Sequence, residues 1–557
     1  MSTGGIFKLI INTGVQDVLL MASEYLSKRI QCMPCTTDIP LQTFVNSINK
    51  THLLMTYGSY KPYVACGIEY NKVQAQGNIK YGKDVEFILP VFGDFINDCV
   101  IYVKLSKLKV VNPVDRVRYV AMIGHRMFKK LLLKVHANEL DSYYTDDYNM
   151  FYEFQVPPSK QVGWLRDIGQ QIPHEAIVTA DPINDEYSEI KLITDGNQTF
   201  KREHNEVHMW IPLLFWFKDI QCSLPNSALP YGQTKVIATI ADINELVAYA
   251  DYGGGGNYVI PEIEVMELYM NNIFLNPEVM NLFLGRVGFS LIRVHGRHTE
   301  LLKSSTESIR LNYLKWPTES IYVAFRPIKN MVYSQQWYKY CNIVPQSINV
   351  PVVIKTDIQL CYVNKTYEDL SLTVNTVILD ADIDISNNYK LEVNGVNYII
   401  LKITNELKNI HTITIEGKWN DDVNDKSIFE LYLPEIGINT ATYYKEFPVI
   451  DTLKIEAHGI TIFKELHESF YNSYLPYRFG KKINTPYDRG LYFANFNINP
   501  GEYQPSGHIN LSRAREFYIT YVSKFINTLN KCELIVNSSC INFLVVSDGS
   551  CILRYST

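Results

Sequence analysis

The sequence predicts an all-β protein made of two large antiparallel β domains. Apolar stretches are short, many alternate in twos, and turns rich in Gly, Asn and Pro divide them. Tyr and Phe number 39 and 25 beside abundant Ile and Val, the composition of pleated sheet. Long runs with helical periodicity are missing, which argues against an α/β enzyme.

Taken in order, residues 1–50 read as an N-terminal arm. Val18, Leu19, Met21, Ala22, Tyr25 and Leu26 recur at helical spacing, so a short helix is expected over Asp17–Arg29. From Tyr60 the pattern turns to strand. KPYVACGIEYNKV and DVEFILPVFGDF are short bounded runs, and VIYVKLSKLKVV (100–111) alternates over much of its length. Residues 138–206 are polar throughout and are expected as long loops with minor strands. VHMWIPLLFWFKDI (207–220) is intensely apolar but too short for a membrane helix, and is expected as one strand buried on both faces. LPYGQTKVIATIA turns at Pro230–Gly232 and adds another strand. DYGGGGNY then reads as a flexible junction. A phosphate loop would need a Lys-Ser/Thr ending or G-x-G-x-x-G opening a helix, whereas Gly256 is followed by Asn-Tyr-Val-Ile-Pro-Glu.

Strands resume at EIEVMELYMNNIFL (262–275), RVGFSLIRVH (286–295), SIYVAFRP (320–327) and VVIKTDIQLCYV (352–363). Residues 366–445 hold short alternating pieces between Asn/Asp/Gly turns, expected as an inserted β subdomain of roughly four strands. TLKIEAHGITIF, GLYFANFNI, EFYITYVSKFI, ELIVNSS and INFLVVSDGSCILRYS complete the pattern. The expected division is an arm over 1–50, a first β domain over 51–245 and a junction over 246–260. The second β domain then covers 261–557 and carries the 366–445 insertion.

The 557 residues carry a net charge of −6, which speaks against a dedicated nucleic-acid binder, and Lys129–Lys130 reads as a solvated face. Ten cysteines lack regular spacing; Cys66, Cys99, Cys222, Cys361 and Cys551 fall in strand-like runs and are expected to pack as small hydrophobes. Phe7–Met21 is broken by Lys8, Asn12, Gln16 and Asp17, so neither a signal peptide nor a membrane span is expected. The expectation is a soluble protein of a reducing cytosol. The glycosylation-type triplets at Asn49, Asn197, Asn364, Asn510 and Asn537 then read as chance matches.

Candidate chemistry is thin. EHNEVH places His204 and His208 four apart, but Glu206 is not adjacent to the first as H-E-x-x-H requires, and the run leads into a strand. Cys32-Met-Pro-Cys35 lacks a second ligand pair. Glu262 and Glu264 are paired by spacing alone, and no G-x-S-x-G elbow occurs.

The remaining polar cluster is GEYQPSGHINLSRAREFYI (501–519). His508 lies near Ser506 and Ser512, yet nothing in the sequence supplies an orienting carboxylate or oxyanion donors. A turn at Pro505-Ser506-Gly507, backbone bonds from Asn510 and Ser512, and guanidinium ties from Arg513 and Arg515 explain the stretch as a structural connection. Gln504, Pro505, Ser506, Gly507, Asn510, Ser512 and Arg513 also match a Q-P-S-G-x-x-N-x-S-R signature. With WIPLLFWF, ELYMNNIFLNPEVMNLFLGRVGFSLIRVH, LKWPTESIYVAF, IEAHGITIF and INFLVVSDGSCILRYST in the same order, the chain resembles the major capsid proteins of nucleocytoplasmic large DNA viruses, in their asfarvirus branch.

That resemblance implies a double jelly roll, two eight-stranded antiparallel barrels side by side, with no cofactor and no enzymatic activity. It implies a homotrimer of pseudo-hexagonal outline, packed against neighbouring capsomers in an icosahedral shell. Minor capsid or membrane-associated proteins are expected at the inner face, where the arm would lie, and no direct nucleic-acid contact. The expected location is the virion capsid, after synthesis in the host cytoplasm at viral assembly sites. Region 138–206 looks shorter than in that branch and 366–445 looks added, which places the insertion among outward surface loops. Two alternatives are a double-jelly-roll scaffold lost on maturation and, from another class, a carbohydrate-acting β enzyme. For the latter, no catalytic carboxylate pair can be picked out by context.

Overall fold

The computed structural model describes residues 66–179, 188–193, 196–229, 234–275, 289–332, 336–366, 373–378, 389–393, 396–407, 410–415, 428–480, 482–511, 516–547 and 550–555. The arm over 1–50, with its expected helix and its Cys32–Cys35 pair, lies outside them. Two compact units divide the chain: one holds both β domains, the other is Ile343–Glu446.

Eight main strands build the first domain: β1 (Cys66–Gln74), β2 (Asp84–Ile88), β3 (Phe95–Leu105), β4 (Phe128–Val135), β5 (Asn138–Tyr144), β6 (Val207–Pro212), β7 (Thr234–Ile240) and β8 (Ile263–Leu275). They form two antiparallel sheets, in the orders β1-β8-β3-β6 and β2-β7-β4-β5. Alternation in the sequence becomes alternation in burial. Ile101, Val103 and Leu105 of β3 and Val236, Ala238 and Ile240 of β7 point into one core, and their neighbours face outward.

The second domain repeats the plan with β9 (Phe289–Leu302), β10 (Thr306–Arg310), β11 (Pro317–Pro327), β12 (Thr452–Ala457), β13 (Ile460–His467), β14 (Leu491–Asn495), β15 (Phe517–Val522) and β16 (Cys532–Ser547). Its sheets run β9-β16-β11-β14 and β10-β15-β12-β13. The strand order of the first domain recurs position for position, so each domain is an eight-stranded jelly roll. Ile321, Val323, Phe325, Phe493, Ile519 and Val536 anchor its core.

Several expectations are corrected. The stretch 207–220 is not one doubly buried strand. It ends as a strand at Pro212, where proline terminates an edge strand, and continues as 3₁₀ turns at Trp216–Lys218 and Ile220–Cys222. Because β6 is an edge strand facing inward on one side only, His208 and Trp210 stay exposed. Region 138–206 is not mainly loop, since it contains β5 and two helices, α1 (Thr145–Gln155) and α2 (Pro158–Asp167). Cys66 is exposed, whereas Cys99 and Cys551 are buried.

The expected junction at 246–260 is corrected as well. Strand β8 lies between β1 and β3 in the first roll, so that roll reaches Leu275 and the second roll's first described strand begins at Phe289. The glycine run is also held in place. The buried Asp115 carboxylate accepts the backbone N–H groups of Tyr252, Gly254 and Gly256 at 3.0–3.1 Å, and a Cβ on Gly254 would collide with it. Gly253, Gly255 and Gly256 take positive φ, which glycine adopts without strain.

Ile343–Glu446 is larger than the expected 366–445 insertion. Among the described residues, seven strands form one sheet. The strand Asn342–Thr366 includes the run 352–363 that was expected in the second roll, and it neighbours the final strand Ile428–Phe447. Chain entry and exit are therefore adjacent, and closing them over a short linker costs little entropy. Replacing residues 344–445 by a Gly/Ser linker is expected to leave a soluble chain melting within several degrees of the intact one in a thermal scan. Loss of soluble protein would show that this unit is needed to fold the rolls.

Candidate functional site

Helix α1, TDDYNMFYEFQ, leaves the first roll after β5 and buries the polar side chains of Asp146, Asp147 and Asn149. Asp146 and Asp147 occupy its first turn, where carboxylates suit the helix dipole, and Asp147 Oδ2 accepts the Tyr144 N–H at 2.8 Å. The helix ends before Pro157–Pro158, and Pro158 opens α2 at the position where its missing N–H costs nothing. Tyr148 packs into the first roll's core, whereas Met150 and Phe154 pack into the second roll's core. One short helix is thus shared by both cores.

Its polar side chains do the same. Asp146, 4% exposed, accepts Arg326 Nη1 at 2.6 Å, Arg297 Nη2 at 2.8 Å and the Tyr340 hydroxyl at 3.0 Å. Arg326 donates its other amino group to Glu533 at 2.7 Å. Asp147 Oδ1 accepts Asn537 Nδ2 at 2.6 Å, and Gln155 Nε2 donates to the Tyr322 hydroxyl at 3.1 Å. Beside the helix, Asp141 of β5 accepts the His295 backbone N–H and faces its Nδ1, both at 2.9 Å.

The electrostatics follow from these contacts. Burial alone raises the Asp146 pKa, but Arg326 and Arg297 outweigh it and hold the carboxyl at about 2. Burial favours neutral His295, and the Asp141 and Asp147 carboxylates reverse that and raise its pKa. His125 is enclosed, with Nδ1 2.8 Å from Asn149 Oδ1 and Nε2 accepting Trp164 Nε1 at 2.8 Å; burial pushes it down to about 4. Glu153 accepts the Tyr487 N–H at 2.7 Å, and burial together with the nearby Asp488 carboxylate pushes it up to about 7.

A cavity of about 890 Å³ opens alongside, lined from the first roll by Asp147, Phe151 and Lys218 and from the second by Arg293, His295 and Asn537. Arg293 and His295 in its lining are engaged with Glu319 and Asp141, and no His/Cys/Asp/Glu cluster able to hold a metal occurs among the described residues. His204 and His208 have separate partners: Nε2 of the first contacts the Val117 carbonyl, and Nδ1 of the second contacts the Tyr102 hydroxyl. What the arrangement does chemically is clamp two rolls together.

The signature stretch joins β14 to β15. Gln504 is exposed, Pro505 and Ser506 are half-buried, and Ser506 Oγ accepts the Asn499 N–H at 2.8 Å. Gly507 has φ +137° and passes close to the Phe496 carbonyl, a place that favours glycine. Ile509–Asn510 pairs with Thr318 and Pro317 at the start of β11, and His508 is exposed. Ser512 and Arg513, with Arg515, lie outside the described residues. Sequence reasoning missed the guanidinium that does hold this loop. Arg293 of β9 grips Glu319 through two donors, at 2.6 and 3.2 Å, and donates to the Glu502 and Tyr503 carbonyls at 2.7 and 3.1 Å. The available signal was a charged residue inside the apolar run SLIRVH, which needs partners when folded.

Two jelly rolls of identical strand order in one chain define the double-jelly-roll class of viral coat subunits. Residues 59–276 match the family described as major capsid protein N-terminus, and residues 411–552 match the large eukaryotic DNA virus major capsid protein. The hexon protein p72 of African swine fever virus, isolate Tick/Malawi/Lil 20-1/1983, is 25% identical over 100% of both chains. Among solved structures, the Faustovirus major capsid protein superimposes with a TM-score of 0.68 at 24% identity, covering 96% of this chain and 100% of its own. The PBCV-1 virus capsid gives 0.54 at 17% identity, covering 90% and 99%. The chain belongs to the major capsid proteins of large eukaryotic DNA viruses.

Glu153 provides a test of the clamp. Its folded pKa of about 7 exceeds the ordinary carboxylate value of about 4.3, so the folded chain binds the extra proton in between. Stability therefore falls as pH rises through that window and stays lower above it. Glu153→Gln keeps an acceptor for Tyr487 and removes the titration. It is expected to stabilise the protein by about 1–2 kcal/mol at pH 8 in thermal melts, with the gain shrinking towards pH 4. A gain independent of pH would mean that Glu153 ionises freely.

Proposed function

We propose that this major capsid protein is a non-enzymatic shell subunit that works as a homotrimer of pseudo-hexagonal outline, tiling an icosahedral virion. The observation that carries this reading is the repeated roll. Two like-ordered rolls per chain give three chains six similar lobes, and head-to-tail contacts close such a ring. Core packing runs from one roll into the other, through Ile292, Val294, Cys540 and Leu544 on one side and Met150 and Phe154 on the other, so the chain is a preformed building block. The Q-P-S-G segment serves as a structural connection within it, setting the register of β11 against the loop before β15.

The same reading assigns the protein's other surfaces to neighbouring capsomers and, at the inner face, to minor capsid or membrane-associated proteins. It assigns no direct nucleic-acid contact, consistent with the net charge of −6. Its place is the virion capsid, after synthesis in the host cytoplasm at assembly sites. Multi-angle light scattering of the purified chain at micromolar concentration is expected to return three times the 64.2 kDa chain mass. A stable folded monomer at that concentration would overturn the trimer.

A further inference from the structure

Each sheet of a jelly roll ends in two edge strands, and an open edge offers unpaired backbone groups to any other chain. Across the two rolls nearly every edge is blunted or covered. β5 and β9 meet at the seam, where Asp141 accepts the His295 backbone N–H, and β14 is buried along its whole length. β2 is flanked by Gln76–Gly77, and β6 stops at Pro212. β10 is polar and charged, TESIR, and β13 is broken by two register shifts against β12. β1 has none of these devices. Its nine residues, Cys66–Gln74, pair one to one with β8 without a bulge, and among the described residues no strand pairs with its outer edge. Ile68 and Tyr70 on this strand are 54% and 55% exposed.

We infer that β1 pairs antiparallel with β1 of a second copy across a twofold axis, and that this contact joins neighbouring trimers. The inference rests on the homotrimer reading. A twofold contact is its own complement, so it lies outside a head-to-tail ring of three and links one ring to the next. The strand's own residues set the register. The pleat lets outward residues oppose only outward residues. An axis through Tyr70 keeps all nine residues paired. Tyr70 then meets its copy, Ile68 lies opposite the alkyl stem of Lys72, and Glu69 lies opposite Asn71. An axis through Glu69 or Lys72 sets like charges face to face instead. Lys72 enters the contact already paired with Glu267 at 3.1 Å, and the Tyr70 hydroxyl already donates to Asp98 at 3.1 Å. The two four-stranded sheets become one, along about 30 Å of new ladder.

The test is disulfide trapping in the full chain carrying Cys66→Ser, with concentrated trimers under mild oxidation and the parent Cys66→Ser chain as blank. Directly opposed Cβ atoms lie about 5 Å apart, within disulfide reach, whereas residues four positions out of register lie about 13 Å apart. Tyr70→Cys is therefore expected to cross-link about tenfold faster than Ile68→Cys. Ile68→Cys combined with Lys72→Cys restores an opposed pair and is expected to match Tyr70→Cys; it carries the same comparison if Tyr70→Cys does not fold. Native mass measurement is expected to find the trapped species as joined trimers. Ile68→Lys with Tyr70→Lys is expected to leave trimers intact and to weaken their association about tenfold in sedimentation. Equal trapping by Ile68→Cys, cross-links confined within one trimer, or a lysine variant that associates as the native chain does would each overturn the pairing. Trimers that never trap would overturn it too and leave the shell reading standing, so the two fail separately.

Discussion

The structure depends on one buried carboxylate. Asp146 comes from the helix that leaves the first roll, and its partners Arg297, Arg326 and Tyr340 come from the chain of the second. A charge taken out of water costs several kcal/mol unless it is paired and fully hydrogen-bonded, and here three donors meet one carboxylate. The clamp therefore imposes geometry. If either roll shifted by an ångström or two, the Asp146 carboxylate would be left buried without its guanidinium partners, and Arg326 would keep only Glu533. Apolar packing between Met150, Phe154 and the second core adds attraction but far less directional constraint.

That constraint fits what a shell subunit must do. A tiling protein needs two lobes at a fixed spacing, because errors in one subunit propagate into every contact of the lattice. Separate jelly rolls on a flexible tether would not supply it. The chain instead ties its connections down at several points. Asp115 gathers the glycine run, Arg293 gathers the loop before β15, and Asn484 donates to the Val156 carbonyl just beyond α1. Each tie joins segments far apart in sequence, and each uses a side chain whose charge or amide is spent on backbone groups that loops leave unpaired.

Much of the fold was legible where one face of a strand is wet. β3 and β7 could be read directly, because alternation in residue type is alternation in burial. The double-roll class followed from the sum of such strands and from the motif around Gln504. Helix α1 was not legible. Tyr148, Met150, Phe151, Tyr152 and Phe154 leave no consistent polar face, and its acids are buried by partners as far away as Asn537. Local periodicity does not carry that information. The roll boundary was misplaced for a related reason. Four glycines look like a hinge until Asp115, more than a hundred residues earlier, is seen to occupy their N–H groups. The site itself was half visible: Arg293 and Arg326 stand in apolar strand runs, which signals buried pairing without revealing the partner.

Scanning calorimetry of the chain and of Asp146→Asn tests the clamp most directly. Removing one partner of such a buried cluster costs about 3–5 kcal/mol, and here the loss falls on the junction between rolls. The account predicts that the two rolls melt in a single transition in the native chain. It predicts that Asp146→Asn separates them into two, and that adding Arg326→Met restores part of the loss. Two resolved roll transitions in the native protein, or an Asp146→Asn variant that melts as the native protein does, would contradict it.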